Sequence, residues 1–364
     1  MKWNSQQEQA LQQVNQWFRK QSKEKQIFRV FGYAGTGKTT LAKHFAEHID
    51  GDVFYAAFTG KAALMMRKNG CVGASTIHSL IYRAKEDSKG LIKFELNKSS
   101  PIKDAALIII DECSMVDAKI GKDLLSFGKP ILVLGDPAQL PPVKGAGFFT
   151  ECKPDVMLTE IHRQASDNPI IYLATEIRKG RVPDYGDYGS SRVVKKLSTK
   201  DALDADQIIV GKNDTRHMLN RKVRKMLDIK SVLPIVGDKL ICLKNNSSLG
   251  IFNGGMFTVE NIQKTKYEQN FMFMAVSGDD ENERAVAVKV HKSFFTDEVP
   301  SPDWKTIRDT EEFDYGYAIT CHKSQGSQWD NVLIYDESWV FKNDSSRWLY
   351  TAVTRASESV VLYR

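Results

Sequence analysis

One short segment constrains the fold of this 364-residue chain more than any other feature: residues 32–39 read Gly-Tyr-Ala-Gly-Thr-Gly-Lys-Thr. This G-x-x-x-x-G-K-T pattern follows an apolar run at Ile27–Phe31 and precedes a stretch compatible with a helix. Glycines let the backbone turn so that successive N–H groups surround phosphate oxygens, while the lysine reaches the terminal phosphates and the last hydroxyl binds Mg²⁺. The segment therefore predicts a phosphate-binding loop. Its candidate ligand residues are Gly32, Gly35, Thr36, Gly37, Lys38, Thr39 and Thr40.

Apolar runs of strand length alternate with longer segments compatible with helices, which is typical of βαβ units and a parallel sheet. In the first half the runs are Ile27–Phe31, Val53–Phe58, Leu107–Ile110, Ile131–Leu134 and Val156–Leu158. We expect residues 1–165 to form one α/β domain. Similar runs at Ile208–Val210, Tyr317–Thr320, Val332–Tyr335 and Val360–Tyr363 predict a second α/β domain, made from residues 166–244 and 306–364.

Two segments interrupt this alternation. Residues 245–305 contain short apolar runs separated by turn-rich stretches and fit no helical period, which predicts a small β-barrel-like insertion in the second domain. Residues 83–100 carry many charges around a short apolar run. They are interpreted either as a protruding β-hairpin or as a solvated loop with no mechanical role.

Polar side chains follow two of the predicted strands of the first domain. Asp111 and Glu112 come directly after Leu107–Ile110, and Gln139 lies in the turn after Ile131–Leu134. Because ligands of α/β sheets bind at the carboxyl ends of the strands, we expect these groups near the phosphates. There Asp111 can hold Mg²⁺, Glu112 can deprotonate an attacking water, and Gln139 can contact the γ-phosphate. The set predicts Mg²⁺-dependent nucleotide hydrolysis.

Charge, apolar runs and cysteine content indicate the compartment and the kinds of partner to expect. The 51 basic and 45 acidic side chains give a net charge of +6, which permits a polyanionic partner without requiring one. No apolar run approaches the ~20 residues of a membrane span, and the first residues contain no apolar signal core. The five scattered cysteines form no C-x-x-C pair, which argues against a disulfide framework and fits a reducing compartment. We expect a cytoplasmic protein with no membrane partner.

Five further motifs carry a resemblance to a known family. They read Phe-Thr-Gly-Lys-Ala-Ala at 58–63, Ser-Thr-Ile-His-Ser-Leu at 75–80, Leu-Thr-Glu-Ile-His-Arg at 158–163, Tyr-Ala-Ile-Thr-Cys-His-Lys-Ser-Gln-Gly-Ser-Gln-Trp at 317–329 and Leu-Tyr-Thr-Ala-Val-Thr-Arg-Ala at 349–356. With the phosphate loop, and in this order, they resemble the superfamily 1 helicases and, within them, the 1B group of RecD-like and Dda-like DNA helicases. The resemblance covers nearly the whole chain. It implies two RecA-like P-loop NTPase domains with parallel sheets, and an SH3-like β-barrel for the insertion.

The resemblance also implies roles for single residues. Gln7 matches the glutamine that reads adenine, and Arg163 and Arg355 match arginines that stabilise charge on the γ-phosphate. The residues that it implies for nucleic-acid binding are Thr59, Lys61, His78, Phe94, Pro142, Thr320 and His322. Two alternatives stay open at this point: the two histidines can be interior residues that fix a loop, and Phe94 can be a packing residue of the hairpin rather than a strand-splitting pin. Gln328 departs from the family, which more often has glutamate there.

The function that the resemblance implies is an ATP-dependent DNA helicase, with ATP and Mg²⁺ as cofactors. It would hydrolyse Mg-ATP in a cleft between the two domains, move 5′ to 3′ on single-stranded DNA and unwind duplex forks as a monomer. A bacterial cytoplasm or a phage genome is the implied setting, with a single-strand-binding or replication protein as a further candidate partner. Three alternatives remain: a translocase that remodels protein–DNA complexes without unwinding, a nucleotide-gated binding module, and an RNA helicase of the same superfamily.

Overall fold

The computed structural model describes residues 3–47, 49–86, 92–142, 145–160, 168–246, 248–263, 270–278 and 285–364. The α-helices are α1 (Ser5–Lys20), α2 (Lys38–Ala46), α3 (Gly60–Lys68), α4 (Ile77–Ile81), α5 (Ala118–Leu125), α6 (Pro169–Arg178), α7 (Thr199–Asp204), α8 (Asn213–Met226), α9 (Trp304–Arg308), α10 (Cys321–Ser324) and α11 (Ser345–Val353). The strands are β1 (Ile27–Gly32), β2 (Val53–Ala57), β3 (Ser75–Thr76), β4 (Tyr82–Glu86), β5 (Ile92–Leu96), β6 (Leu107–Asp111), β7 (Ile131–Gly135), β8 (Val156–Leu158), β9 (Gly186–Tyr188), β10 (Ser191–Val194), β11 (Gln207–Val210), β12 (Lys239–Cys242), β13 (Met256–Gln263), β14 (Phe271–Gly278), β15 (Val286–His291), β16 (Phe313–Tyr315), β17 (Ala318–Thr320), β18 (Trp329–Tyr335) and β19 (Ala356–Tyr363).

The first compact unit comprises Met1–Pro183, Gln325–Ser327 and Asn343–Thr354. Its sheet is parallel throughout, with the strand order β3-β2-β6-β7-β1-β8. Successive residues of β6 and β7 point to opposite faces, and both strands are buried along their whole length. Residues of α1, α2 and α3 pack on one face, and residues of α4 and α5 on the other. A parallel sheet covered on both faces explains why these strands read as continuous apolar runs.

The second compact unit comprises Asp184–Ser324, Gln328–Lys342 and Arg355–Arg364. Its main sheet has the order β17-β11-β18-β19-β10-β9 and is parallel except for the edge pair β9 and β10. Each unit therefore contains its own parallel sheet with helices, which confirms the predicted α/β class with two RecA-like domains.

The compact units differ from the predicted domains in two respects. The prediction assigned all of residues 306–364 to the second domain, yet α11 and Gln325–Ser327 belong to the first unit. The physical reason is burial: Trp348 and Tyr350 of α11 are buried in the first unit, where α11 packs against α6. The boundary after residue 165 also differs, because α6 belongs to the first unit as well.

The insertion is an antiparallel sheet of the second unit, with the order β15-β14-β13-β12-β16. It begins at Lys239 and ends at Tyr315, outside the predicted limits of 245 and 305. The difference arises because β12 pairs with β16, so that Leu240 lies opposite Tyr315. The SH3-like architecture of this sheet stays a prediction.

The segment predicted as a hairpin or a loop contains a hairpin. Strands β4 and β5 pair antiparallel, with Tyr82 opposite Leu96 and Ala84 opposite Phe94. Residues 87–91, which connect the two strands, lie outside the described residues.

Candidate active site

The phosphate loop, residues 32–39, connects β1 to α2 in the first unit. Gly35 and Gly37 have φ angles of 77° and 80°, in the left-handed region that glycine adopts without steric cost. Gly32 is needed for a different reason, because a Cβ atom there would lie 2.6 Å from Thr36 Oγ1 and 2.8 Å from Leu158 Cβ. The sequence therefore supplies glycine at the places where this backbone requires it.

Helix α1 holds the loop from one side. Gln7 is buried, and its Nε2 donates a hydrogen bond to the carbonyl of Thr36 at 3.0 Å. Its Oε1 accepts from the N–H of Asn4, while Asn4 Oδ1 accepts from the N–H of Gln7, which forms a capping box at the start of α1. The side chain predicted to read adenine thus also fixes the position of the loop. Its contact with a base stays a prediction.

Lys38 and Thr39 occupy the first turn of α2. Lys38 Nζ donates to the carbonyl of Tyr33 within the loop at 2.9 Å. Thr39 Oγ1 donates to Asp111 Oδ2 at 2.7 Å, so the two side chains predicted to hold Mg²⁺ are in direct contact. Hydroxyl and carboxylate oxygens are the hard ligands that Mg²⁺ prefers, and the pair therefore fits the metal.

Asp111 lies at the end of β6 and is only 3% exposed. Burial raises its pKa to about 6, and the charge of Glu112 beside it adds to the rise. The hydroxyl of Thr39 and the N–H of Glu112, which donates to Asp111 Oδ1 at 2.8 Å, lower the pKa and moderate the effect. A carboxylate whose ionised form is this poorly solvated gains by binding a cation.

Glu112 has a left-handed backbone, with φ 51° and ψ 46°. This region is sparsely populated for residues other than glycine, and such residues cluster at functional sites. The turn sends the chain out of the sheet directly after β6, so Glu112 stays partly exposed beside buried Asp111. The buried carboxylate of Asp111 can therefore hold a metal, and the partly exposed one of Glu112 can meet a water molecule.

The loop after β7 carries Gln139, which is buried and accepts from Ser114 Oγ through Oε1 at 3.4 Å. Asp136 shapes this loop, because its Oδ1 accepts from the N–H of Ala138 at 2.9 Å. Burial raises the pKa of Asp136, while the positive charge of Lys38 opposes that rise. The Gln139 loop is therefore part of the same electrostatic environment as the phosphate loop.

Sequence reasoning missed a cluster in the first unit that joins these two loops to α11. The hydroxyl of Tyr350 donates to Asp136 Oδ2 at 2.6 Å and accepts from the N–H of Ala34 at 2.9 Å. Two further hydrogen bonds involve the backbone of Leu140. Its N–H donates to Thr351 Oγ1 at 2.9 Å, and its carbonyl accepts from Gln325 Nε2 at 3.1 Å. The one signal in the sequence was Asp136 itself, a carboxylate directly after β7.

The two predicted arginines have different outcomes. Arg163 lies within residues 161–167, outside the described residues. Arg355 belongs to the second unit, where it is buried and its carbonyl accepts from the N–H of Trp329 at 2.9 Å. The role of both arginines at a γ-phosphate stays a prediction.

The predicted strand-binding residues fall in both units. In the first, Thr59 caps α3 by accepting from the N–H of Ala62 at 3.2 Å, and Lys61 follows in the first turn of that helix. His78 packs between the rings of Phe58 and Tyr82, with centroid distances of 6.0 and 5.5 Å, and burial lowers its pKa. These contacts favour the interpretation of His78 as a residue that fixes a loop.

Phe94 is 65% exposed on β5, which disfavours its interpretation as a packing residue of the hairpin. Pro142 follows the Gln139 loop and is partly exposed. In the second unit, Thr320 ends β17, and the ring of His322 in α10 lies 5.8 Å from that of Phe341. Contact of any of these residues with nucleic acid stays a prediction.

Every helix within the described ranges is too short or too polar to span a lipid bilayer.

Family profiles match most of the chain. The family described as AAA domain matches residues 2–202, and the family described as UvrD-like helicase C-terminal domain matches residues 315–363. A protein of Deinococcus radiodurans named ATP-dependent RecD2 DNA helicase is 28% identical over 359 residues, which cover 90% of this chain and 45% of that protein. The phage T4 protein named ATP-dependent DNA helicase dda is 34% identical over 169 residues, or 41% of this chain and 37% of its own. The chain spans less than half the length of these curated relatives.

Solved structures share the fold. A structure of Bacteroides Pif1 bound to ssDNA superimposes with a TM-score of 0.62 at 21% identity, covering 99% of this chain and 92% of that one. Pif1 helicase from Candida albicans gives 0.59 at 19% identity, covering 100% of this chain and 94% of that one. At these identities the likeness concerns the fold, and it agrees with the parallel sheet found in each unit.

Proposed function

We propose, from the premise that this chain belongs to the AAA domain family and to the RecD-like and Dda-like group of superfamily 1 helicases, that it is an ATP-dependent DNA helicase. It hydrolyses Mg-ATP, moves 5′ to 3′ along single-stranded DNA and separates the strands of a fork. The observation that carries the proposal is the 2.7 Å contact of Thr39 with Asp111, which joins the phosphate loop to the strand that ends in two carboxylates.

The catalytic roles follow from the positions of the side chains. Backbone N–H groups of the phosphate loop and Lys38 bind the phosphates. Thr39 and Asp111 hold Mg²⁺, which neutralises charge on the phosphate oxygens when it is bound. Glu112 accepts the proton of the attacking water, since it is partly exposed beside the buried metal ligand. Gln139 contacts the γ-phosphate or that water. Arg163 and Arg355 stabilise the charge that develops on the transferred group.

DNA as the substrate is supported by two curated relatives that are named DNA helicases. A motor that moves along a strand needs groups that grip the backbone without reading bases, and Thr59, Lys61 and Thr320 supply hydroxyls and a cation. The exposed Phe94 favours strand separation over movement without unwinding, because a wedge at a fork needs an apolar group in solvent. We also propose a cytoplasmic location and action as a monomer, with a single-strand-binding or replication protein as a further partner.

The test is ATP turnover with and without single-stranded DNA. Wild type is expected to be stimulated by DNA, and Lys38→Ala to lose turnover, because the variant lacks the cation that meets the terminal phosphates. Glu112→Gln is expected to retain Mg-ATP binding and lose turnover. Lys43→Ala is the matched control, since Lys43 is an exposed lysine of the same helix. Robust DNA-stimulated turnover in Lys38→Ala would refute the site, and single-stranded RNA in place of DNA tests the alternative substrate.

A further inference from the structure

The carboxyl ends of three neighbouring strands form one edge of the main sheet of the second unit. The strands β17, β11 and β18 are adjacent and parallel, and they end at Thr320, Val210 and Tyr335. Ligands of open α/β sheets bind outside this kind of edge. Two of the predicted contacts with the DNA strand lie there: Thr320 is the last residue of β17, and His322 follows it in α10. The segments that follow the other two strands carry side chains that the proposed function does not use.

Trp339 stands out among them. It lies four residues beyond the end of β18 and its side chain is 69% exposed, whereas Trp17 and Trp348 are buried. The ammonium group of Lys212, which follows β11, lies 5.2 Å from the centroid of the Trp339 ring. An exposed indole beside the ammonium group of Lys212 suits a ligand that has both a flat apolar face and a negative charge.

The segment that carries Trp339 is anchored on both sides. On one side, the buried carboxylate of Glu337 accepts from the N–H groups of Gly211 and Lys212, each at 2.9 Å, and from the hydroxyl of Thr215 at 2.6 Å. On the other side, Phe341 packs on the ring of His322. The backbone on both sides of Trp339 is therefore held by the fold, which lowers the entropic cost of stacking a ligand on its indole.

The negative charge of Glu337 is compensated by groups of the protein itself. Besides its three uncharged donors, it forms an ion pair of 3.1 Å with Lys212 Nζ. These donors lower its pKa against the opposing effect of burial, so the carboxylate is held by the protein rather than presented to solvent. A phosphate near Trp339 would meet Lys212 without facing an unpaired acidic group from Glu337.

We propose that Trp339 is a stacking platform for one base of the bound single strand, with Lys212 contacting the adjacent phosphate. This inference rests on the proposed function and extends it, because the phosphate-gripping residues alone leave the bases unsupported. Every base has a π face, so a platform of this kind holds the strand without sequence preference, as a moving protein requires.

The test is the affinity of the full chain for fluorescent oligothymidylate and for an abasic strand of the same length, measured by anisotropy. Trp339→Ala is expected to bind oligothymidylate about 5- to 150-fold more weakly, the loss that corresponds to ~1–3 kcal/mol per stacked base. Trp339→Phe is expected to recover most of the affinity because it restores an aromatic face. On the abasic strand, wild type and Trp339→Ala are expected to bind equally.

Tyr185→Ala is the matched control. Tyr185 is also an exposed aromatic residue of the second unit, at 51%, and Lys195 Nζ lies 4.5 Å from its ring centroid. It precedes β9, however, at the other end of the strand order. Equal losses for both variants, or an equal loss on abasic and normal strands, would overturn the platform.

The outcomes separate the two proposals. Wild-type affinity for oligothymidylate in Trp339→Ala would overturn the platform alone and would point to a protein that covers Trp339 instead. A wild-type chain that binds neither strand would refute the proposed function, and the platform with it.

Discussion

At the residue scale, Asp111 makes the folded protein sensitive to pH. Its pKa is raised from 3.8 to about 6, mainly by burial, so the folded chain binds this proton more tightly than the unfolded chain does. The free energy of unfolding therefore falls as pH rises from about 4 to about 6, and this contribution is constant above that range. A ligand that neutralises the carboxylate removes the penalty.

The variant Asp111→Asn tests this linkage. Because asparagine does not titrate, we expect the free energy of unfolding of the variant minus that of wild type to rise by about 1–3 kcal/mol between pH 4 and pH 7. Denaturant unfolding without nucleotide or Mg²⁺ measures it. Asp104→Asn, which changes an exposed carboxylate, is the control. A difference that stays constant across this pH range would contradict the account of Asp111.

Local sequence was sufficient to predict that the phosphate loop and Asp111 lie at the ends of strands. Each of them belongs to a contiguous motif attached to one strand. Tyr350 could not be predicted in the same way. Its partner Asp136 is 214 residues away along the chain, and neither residue alone shows that the two meet. The second bond of Tyr350, to the N–H of Ala34, joins a third distant segment. Contacts of this kind depend on how the chain returns to the first unit.

At the element scale, α11 connects the phosphate loop to the Gln139 loop through hydrogen bonds. It contributes Tyr350 to Asp136 and Thr351 to the backbone of Leu140. The chain leaves α11 at Thr354 and continues to Arg355 and β19 in the second unit. A shift of the Gln139 loop would therefore act on the helix that directly precedes Arg355.

Removal of one hydroxyl from α11 tests its role. Tyr350→Phe leaves the partly buried N–H of Ala34 without this acceptor and buried Asp136 without this donor. We expect a loss of about 1–3 kcal/mol in the free energy of unfolding, and a larger fall in ATP turnover than in ATP affinity. Tyr172→Phe, on an exposed tyrosine of α6, is the control. Turnover equal to wild type would show that the hydroxyl serves stability alone.

The hairpin of β4 and β5 is the second element whose proposed role can be tested separately. We expect Phe94→Ala to lower the rate of duplex unwinding several-fold while DNA-stimulated ATP turnover is retained, because on the proposed function the exposed ring would stack on the end base pair of a fork rather than on the nucleotide. Strand displacement and turnover are measured on the same preparation. Lys85→Ala on the neighbouring strand is the control. Unwinding at the wild-type rate would remove Phe94 from the fork.

Elements were predictable to different degrees for a physical reason. Central parallel strands such as β6 and β7 are apolar on both faces, so their sequences identify them without reference to the rest of the chain. The limits of the antiparallel insertion were not predictable in that way. Strands β12 and β16 are short, and they become part of the sheet only because they pair across about seventy residues of chain.

At the scale of the whole molecule, the chain leaves the first unit, forms the second and twice returns to the first. Each return brings part of a helicase motif, with Gln325 from the fifth and Tyr350 and Thr351 from the sixth, onto the Gln139 loop. The prediction gave the first domain a single continuous range, residues 1–165, and so could not include the two returns. Along the chain, Gln325 lies three residues after His322, and Arg355 directly follows Thr354, the last residue of the second return.

The central claim, that this chain converts ATP hydrolysis into directional unwinding of DNA, is tested most directly by strand displacement with Mg-ATP. Two matched duplexes are compared, one with only a 5′ single-stranded tail and one with only a 3′ tail, and Lys38→Ala serves as the inactive reference. We predict unwinding of the 5′-tailed duplex alone. Unwinding confined to the 3′ tail would contradict the direction, and failure on both duplexes despite DNA-stimulated ATP turnover would contradict the helicase assignment.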